Sequence, residues 1–151
     1  MSNKKLTCGV VIRIKNTNKF LIEHVTMKKF WSIPKGEADE NENSAVAAIR
    51  ETKEECGLKL DANKLKYIGT FDYNNFKNIA LFEYSIDETI DTTKLVCTSY
   101  FDFTYTRKSD KQTITVQKPE VDGFCFIDID KFEKMANKNL YRVVKENIEW
   151  N

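Results

Sequence analysis

The chain has a single histidine, His24, and four widely separated cysteines, Cys8, Cys56, Cys97 and Cys125, with no Cys-x-x-Cys pair among them. That set cannot form a zinc site of familiar spacing, and the thiols read as reduced core residues. Long apolar runs are also missing. The start, MSNKKLTCGVVIRIK, is basic but holds only a four-residue apolar run before Arg13, too short for a secretion signal or a membrane span. A cytosol-like (cytoplasmic) compartment is the expectation. Charge of one sign is missing too: 24 Lys+Arg against 23 Asp+Glu give a formal +1, so no whole-chain field advertises nucleic acid or membrane. Glycine and proline are scarce, five and two, and no repeat, linker or low-complexity tract interrupts the chain.

What is present is enough for one substantial core. A length of 151 residues with 41% hydrophobic and 12% aromatic content leaves little room for a second domain, so residues 1–151 read as one. Leu6 to Ile14, a turn at Asn16-Thr17-Asn18 and Phe20 to Ile22 read as a β-hairpin, followed by a loop carrying Lys28-Lys29-Phe30-Trp31. Between Asn43 and Cys56 the period becomes helical: Ala45, Ala48, Ile49, Thr52 and Cys56 recur at three- and four-residue steps. Asn43 is placed to cap that helix and Gly57 to end it. Tyr67 to Tyr73 and Ile79 to Ile86 read as strands. SYFDFTYT and QTITV read as a second hairpin with Phe101, Phe103 and Tyr105 on one face. Gly123 to Ile129 reads as a last strand, and amphipathic helical sequence runs from Asp130 to the end. A sheet interleaved with a few helices, of α/β or α+β class, follows.

Glu51, Glu54 and Glu55 fall within a sector of roughly 100° on that helix, opposite its apolar stripe. Like carboxylates at this spacing repel by a few tenths of a kcal/mol per pair, with Arg50 and Lys53 beside them as compensation. On an arbitrary surface helix such a trio more often forms a solvated acidic face. Here the helix follows Pro34-Lys35-Gly36, a turn able to aim backbone carbonyls at a cation and a lysine at phosphate. Mg²⁺ prefers oxygen ligands and commonly bridges carboxylates to phosphates.

The stretch GEADENENSAVAAIRETKEECGL, Gly36 to Leu58, resembles the Nudix box: Gly, five residues, Glu, seven residues, Arg-Glu, an aliphatic position, any residue, Glu-Glu, any residue, Gly, aliphatic. Gly36, Glu42, Arg50, Glu51, Glu54, Glu55, Gly57 and Leu58 fit; Thr52 stands at the usually aliphatic position. Seven fixed residues at background frequencies of about 7% make a chance match on the order of one in a million. The resemblance implies an α/β fold, an α/β/α sandwich around a mixed β-sheet. It implies Glu54 and Glu55 as principal metal ligands, Glu51 as a further ligand or water-orienting group, Gly36 offering its carbonyl, and Arg50 pairing with a glutamate. Two or more Mg²⁺ (or Mn²⁺) ions would then help water attack a diphosphate phosphorus. The proton acceptor is left open among Glu51, Glu54 and Glu120, the last in KPEVDGF before the final strand.

The box implies a nucleoside diphosphate linked to another group. WSIPKGE is similar to the corresponding segment of dinucleoside-polyphosphate hydrolases and RNA-decapping members, and a tyrosine past the box, here Tyr73, is common in the former. Trp31 and Tyr73, with Phe30, are candidates for stacking on a base, although strand aromatics are more often core residues. Lys35, Arg107, Lys108, Lys111 and Lys118 are candidates for phosphate contact, while His24 reads as structural. The expected substrates are compact adenylated metabolites such as diadenosine polyphosphates, ADP-ribose or FAD. RNA 5′-end processing and a non-catalytic nucleotide-binding module are the alternatives, and a homodimer is compatible with the family. The small size and the lysine and asparagine bias suit a bacterial or phage-encoded member, the latter acting in host cytoplasm.

Overall fold

A computed structural model describes residues 4–151. Its organising strand is β1 (Lys5–Ile14), whose Cys8 to Ile12 run is almost wholly buried because helices cover both of its faces. On one edge β1 pairs in parallel with β6 (Lys77–Ile86), in register from Lys5↔Lys77 to Ile14↔Ile86, and β5 (Lys66–Asp72) continues that side antiparallel. On the other edge the chain turns through Asn16, in left-handed conformation at φ 64°, into β2 (Lys19–Val25).

The expected first hairpin forms only at its turn end, with the single register pair Arg13↔Phe20. Beyond it the strands part. The rest of that β1 edge is taken by β4 (Lys35–Glu37), pairing Thr7↔Glu37, Cys8↔Gly36 and Gly9↔Lys35. β2 instead pairs with β3 (Trp31–Ser32) and with β9 (Val121–Asp128). This splay leaves room between β2 and β4, and the helix that follows β4 roofs it.

That helix is α1 (Ser44–Cys56). Asn43 caps it by accepting from Ala45 N at 2.9 Å, and Gly57 ends it at φ 79°. A Cβ at Gly57 would also crowd the Val96 carbonyl, because Val96 N and Thr98 N donate to the terminal carbonyls of Cys56 and Glu54 at 3.2 and 2.7 Å. Thr52, the departure from the aliphatic position, is fully buried. Its hydroxyl donates to Ala48 O at 2.8 Å, so its methyl packs without leaving a polar group unpaired.

Strand alternation sorts the core into two layers. Cys8, Val10, Ile12, Leu21, Ala80 and Phe82 meet Ala47, Ala48 and Cys56 of α1. Val11, Ile22, Ile79 and Leu81 meet two C-terminal helices, α2 (Ile129–Phe132) and α3 (Lys138–Asn147), through Phe132, Leu140, Val143 and Val144. The result is the expected α/β sandwich around a mixed sheet. The amphipathic run after Asp130 is two helices rather than one, since Asn137 starts α3 afresh by accepting from Leu140 N at 2.8 Å. The second hairpin, β7 (Tyr100–Thr106) with β8 (Thr113–Pro119), forms a separate two-stranded sheet. No helix among the described residues is long and apolar enough to cross a membrane.

Candidate active site

Arg50 organises the glutamates of α1. Its Nε and Nη2 donate to the two oxygens of Glu42 at 2.9 and 2.8 Å, while Nη1 donates to Glu51 Oε1 at 2.9 Å and reaches both oxygens of Glu54 at 3.4 Å. One guanidinium thus offsets the mutual repulsion of three carboxylates. The hydrogen bond to Arg50, helped by the backbone N–H of Asp39, holds the Glu42 carboxyl down at about 2. Glu51 is mostly buried, and desolvation raises its carboxyl above the usual range against the pull of Arg50.

Glu55 departs from the expectation of an exposed trio. It borders the apolar stripe, is 9% exposed, and accepts from the backbone N–H of Lys35 at 2.8 Å. Burial pushes its carboxyl up to about 7. Its neighbour across the splay is Glu23, in the middle of β2 and 1% exposed. The two carboxyls meet in hydrogen-bonding contact, and burial first, then the charge of Glu55, holds Glu23 well above the usual carboxylate range. Sequence reading missed Glu23. The signal was strand parity: Glu23 shares a face with Leu21, which points at α1, and a carboxylate breaks an otherwise apolar inward row.

These groups wall a cleft of about 330 Å³ lined by Glu23, Thr26, Lys35, Glu55 and Glu120, with the rings of Phe30 and Phe101. Glu120 stands between β8 and β9. It is placed by two backbone bonds, its N–H donating to Ser99 O at 2.8 Å and its carbonyl accepting from Thr26 N at 3.1 Å. Its charge is felt at Glu51.

A NUDIX domain family matches residues 4–146 of the chain. The chain belongs to the Nudix family. A curated relative from Enterobacteria phage T4, an uncharacterized 17.7 kDa protein of the e-segB intergenic region, is 27% identical over 150 residues, covering 93% of each chain. Among solved structures, the E. coli dihydroneopterin triphosphate pyrophosphohydrolase superposes with a TM-score of 0.65 at 16% identity, over 96% of this chain and 97% of that one. A C. elegans Ap4A hydrolase gives 0.56 at 20%, covering 92% and 95%. A bifunctional NMN adenylyltransferase/ADP ribose pyrophosphatase from Francisella tularensis, complexed with AMP and a Mn ion, gives 0.60 at 13%, covering 96% of this chain and 41% of that one.

Nudix proteins generally use divalent metal ions, and the residues here fit one. The donor set is oxygen only, as a hard dication prefers. Gly36 leaves the space that the Glu51 carboxyl fills; an added Cβ would overlap it. Among the described residues no three His, Cys, Asp or Glu side chains stand gathered as a cage; the glutamates are drawn to Arg50 and Lys35 instead.

Two expected base-stacking residues lie elsewhere. Trp31 packs beside the α3 layer, edge-on to His24 with ring centroids 5.2 Å apart, and does not line the cleft. Its pairing with His24 in register sends it to the face opposite Glu23. Tyr73 is 6% exposed in the same layer and accepts a hydrogen bond from Asn137 Nδ2 at 3.3 Å; its ring does not line the cleft but lies 5.9 Å beneath the ammonium of Lys35, which does. The aromatics that reach the cleft are Phe30 and Phe101. Of the basic candidates, Lys35 lines it, Arg107 pairs with Asp110 at the hairpin tip, and Lys118 lies 5.0 Å over the Phe103 ring. His24 is held by Asp122 and serves packing. The four cysteines are unbridged: Cys8, Cys56 and Cys97 are buried and Cys125 half-buried, and burial pushes Cys8 up to about 11 and Cys56 to about 12.

Proposed function

We propose that the chain is a divalent-cation-dependent hydrolase, with Mg²⁺ as the working ion, of a nucleoside diphosphate joined to a second group. The preferred class is compact adenylated metabolites: diadenosine polyphosphates, ADP-ribose or FAD. The observation that carries this reading is that Glu51 fills the space left at Gly36 and Glu55 accepts from Lys35 N, with Glu54 of the same helix face held by Arg50, beside a cleft with two aromatic rings. The likeness to an Ap4A hydrolase and to a bifunctional NMN adenylyltransferase/ADP ribose pyrophosphatase supports the same class.

Bound cations would neutralise diphosphate oxygens and lower the pKa of a water for in-line attack. Glu51, Glu54 and Glu55, with the Gly36 carbonyl, would hold them. Arg50 fixes the aim of Glu51 and Glu54 from behind. Lys35 offers its ammonium to a substrate phosphate at the cleft wall, and Phe30 or Phe101 offers a face to the base. Glu120, which lines the cleft and is felt electrostatically at Glu51, is the first choice to accept the water proton.

The test is a substrate panel with Mg²⁺, read by AMP release, run beside Glu54→Gln. Turnover by the wild type and a loss of several orders of magnitude in the variant are expected. No AMP from any of these compounds would end the substrate reading, and unchanged turnover in Glu54→Gln would move the chemistry away from α1.

A further inference from the structure

Glu23 lies outside the box and on a different element from every glutamate discussed as a cation ligand. Its Oε1 is one of two buried side-chain polar atoms that lack a hydrogen-bond partner among the described residues; the other is Thr26 Oγ1. Both side chains line the same cleft, on the same wall. The register break between His24 and Val25 lets Thr26 share that wall with Glu23 despite the odd spacing.

A purely structural role does not account for Glu23. Phe20, Leu21 and Ile22 show what packing asks of this strand, and a buried carboxyl with an unpaired oxygen is destabilising relative to a paired one. No backbone donor satisfies Oε1. The neighbour Ser32 Oγ donates to the Ile33 carbonyl instead. The charged and titratable groups facing Glu23 are Glu55, Lys35, Cys97 and Cys56. Lys35 is the one cation among them, set against two nearly buried carboxyls. The chemistry missing from this wall is positive, compact and able to take several oxygen ligands.

We infer that Glu23 is a further carboxylate ligand of the divalent-cation site, binding from the strand side opposite Glu55 so that the ion sits between β2 and α1. This rests on the reading above that the α1 glutamates hold cations, and adds a ligand from outside the box. The Thr26 hydroxyl then faces the ion's water shell or a substrate oxygen, which gives the second unpaired atom a partner as well. A basic or neutral side chain at position 23 would leave Glu55 as the only carboxylate on that wall.

Cation binding without substrate tests this separately from hydrolysis. Mn²⁺ titrations followed by electron paramagnetic resonance and by calorimetry compare the wild type with Glu23→Gln, Glu23→Leu and, as reference, Glu51→Gln. Both position-23 variants should lose roughly tenfold or more in Mn²⁺ affinity, or bind one ion fewer. In EDTA both should melt no lower than the wild type, because each removes an unpaired buried carboxyl, while the rise in Tm on adding Mn²⁺ shrinks. A folded position-23 variant that binds Mn²⁺ with wild-type number and affinity overturns the inference; if Glu51→Gln is weakened in that same experiment, the α1 reading survives alone. A wild type that binds no Mn²⁺ overturns both.

Discussion

Arg50 and Glu42, eight residues apart, close a two-pronged ion pair at 2.8 and 2.9 Å across the start of α1, and the third guanidinium nitrogen of Arg50 is left to hold Glu51 and Glu54. Glu42 therefore sets where Arg50 points, and Arg50 sets where the glutamates point. Lysine has one ammonium and no fork, so Arg50→Lys keeps the charge and loses the geometry. We expect kcat to fall on the order of 10- to 100-fold with KM changed much less. Steady-state kinetics across Mg²⁺ concentrations measure it, and wild-type kcat in the variant would show the fork to be dispensable.

Gly36→Ala places a methyl group where the Glu51 carboxyl now lies. Gly36 does not occupy the left-handed region, so the backbone tolerates the change and the side chain must move. The variant should keep its circular dichroism spectrum, yet lose divalent-cation affinity and kcat/KM by about one to two orders of magnitude. An active, fully cation-responsive Gly36→Ala enzyme would mean that Glu51 works from another position.

The helix, its caps and the glutamate row could be read from the chain because all are local: Asn43, Gly57 and the box spacing lie within one element and its borders. The burial of Glu55 and its meeting with Glu23 could not, because 32 residues separate them and the contact depends on β2 leaving β1 after one register pair. Trp31 and Tyr73 looked like stacking residues for a related reason. In a sheet covered on both faces, an aromatic's side is set by strand register, here His24↔Trp31, which composition does not encode. The break between α2 and α3 was hidden by an amphipathic pattern that both helices share across the intervening turn.

The Glu23–Glu55 pair gives the cation-free protein an unusual pH profile. Both carboxyls hold a proton more tightly in the folded chain than in the unfolded one, where the usual value is 4.5. Their contribution is complete below that value; that of Glu55 is lost as pH rises through about 7, and that of Glu23 as pH rises through its own raised value. In EDTA the melting temperature should therefore drop between about pH 5 and pH 8, by a free energy on the order of 3 kcal/mol, and drop less in Glu23→Gln. Glu42 acts in the opposite sense: its ion pair is present above 4.5 and lost only as pH falls through about 2. A wild-type profile that rises over the neutral range would contradict the burial of the pair.

Aromatic truncation separates the cleft from the core. Phe101→Ala removes a ring from the cleft wall, and loss of a stacking contact of about 1–3 kcal/mol should raise KM by roughly 5- to 150-fold with a modest change in Tm. Tyr73→Ala instead opens a cavity beside Ile79, Leu81 and Leu140 and strands the Asn137 amide, so it should cost stability on the order of 3–5 kcal/mol while KM stays near wild type. Trp31→Ala should resemble Tyr73→Ala, more mildly because the ring is half-buried. Thermal melts and KM measured on the same preparations decide between the two classes. A large rise in KM with an unchanged Tm in Trp31→Ala would put that ring in contact with the substrate and return Trp31 to the binding site.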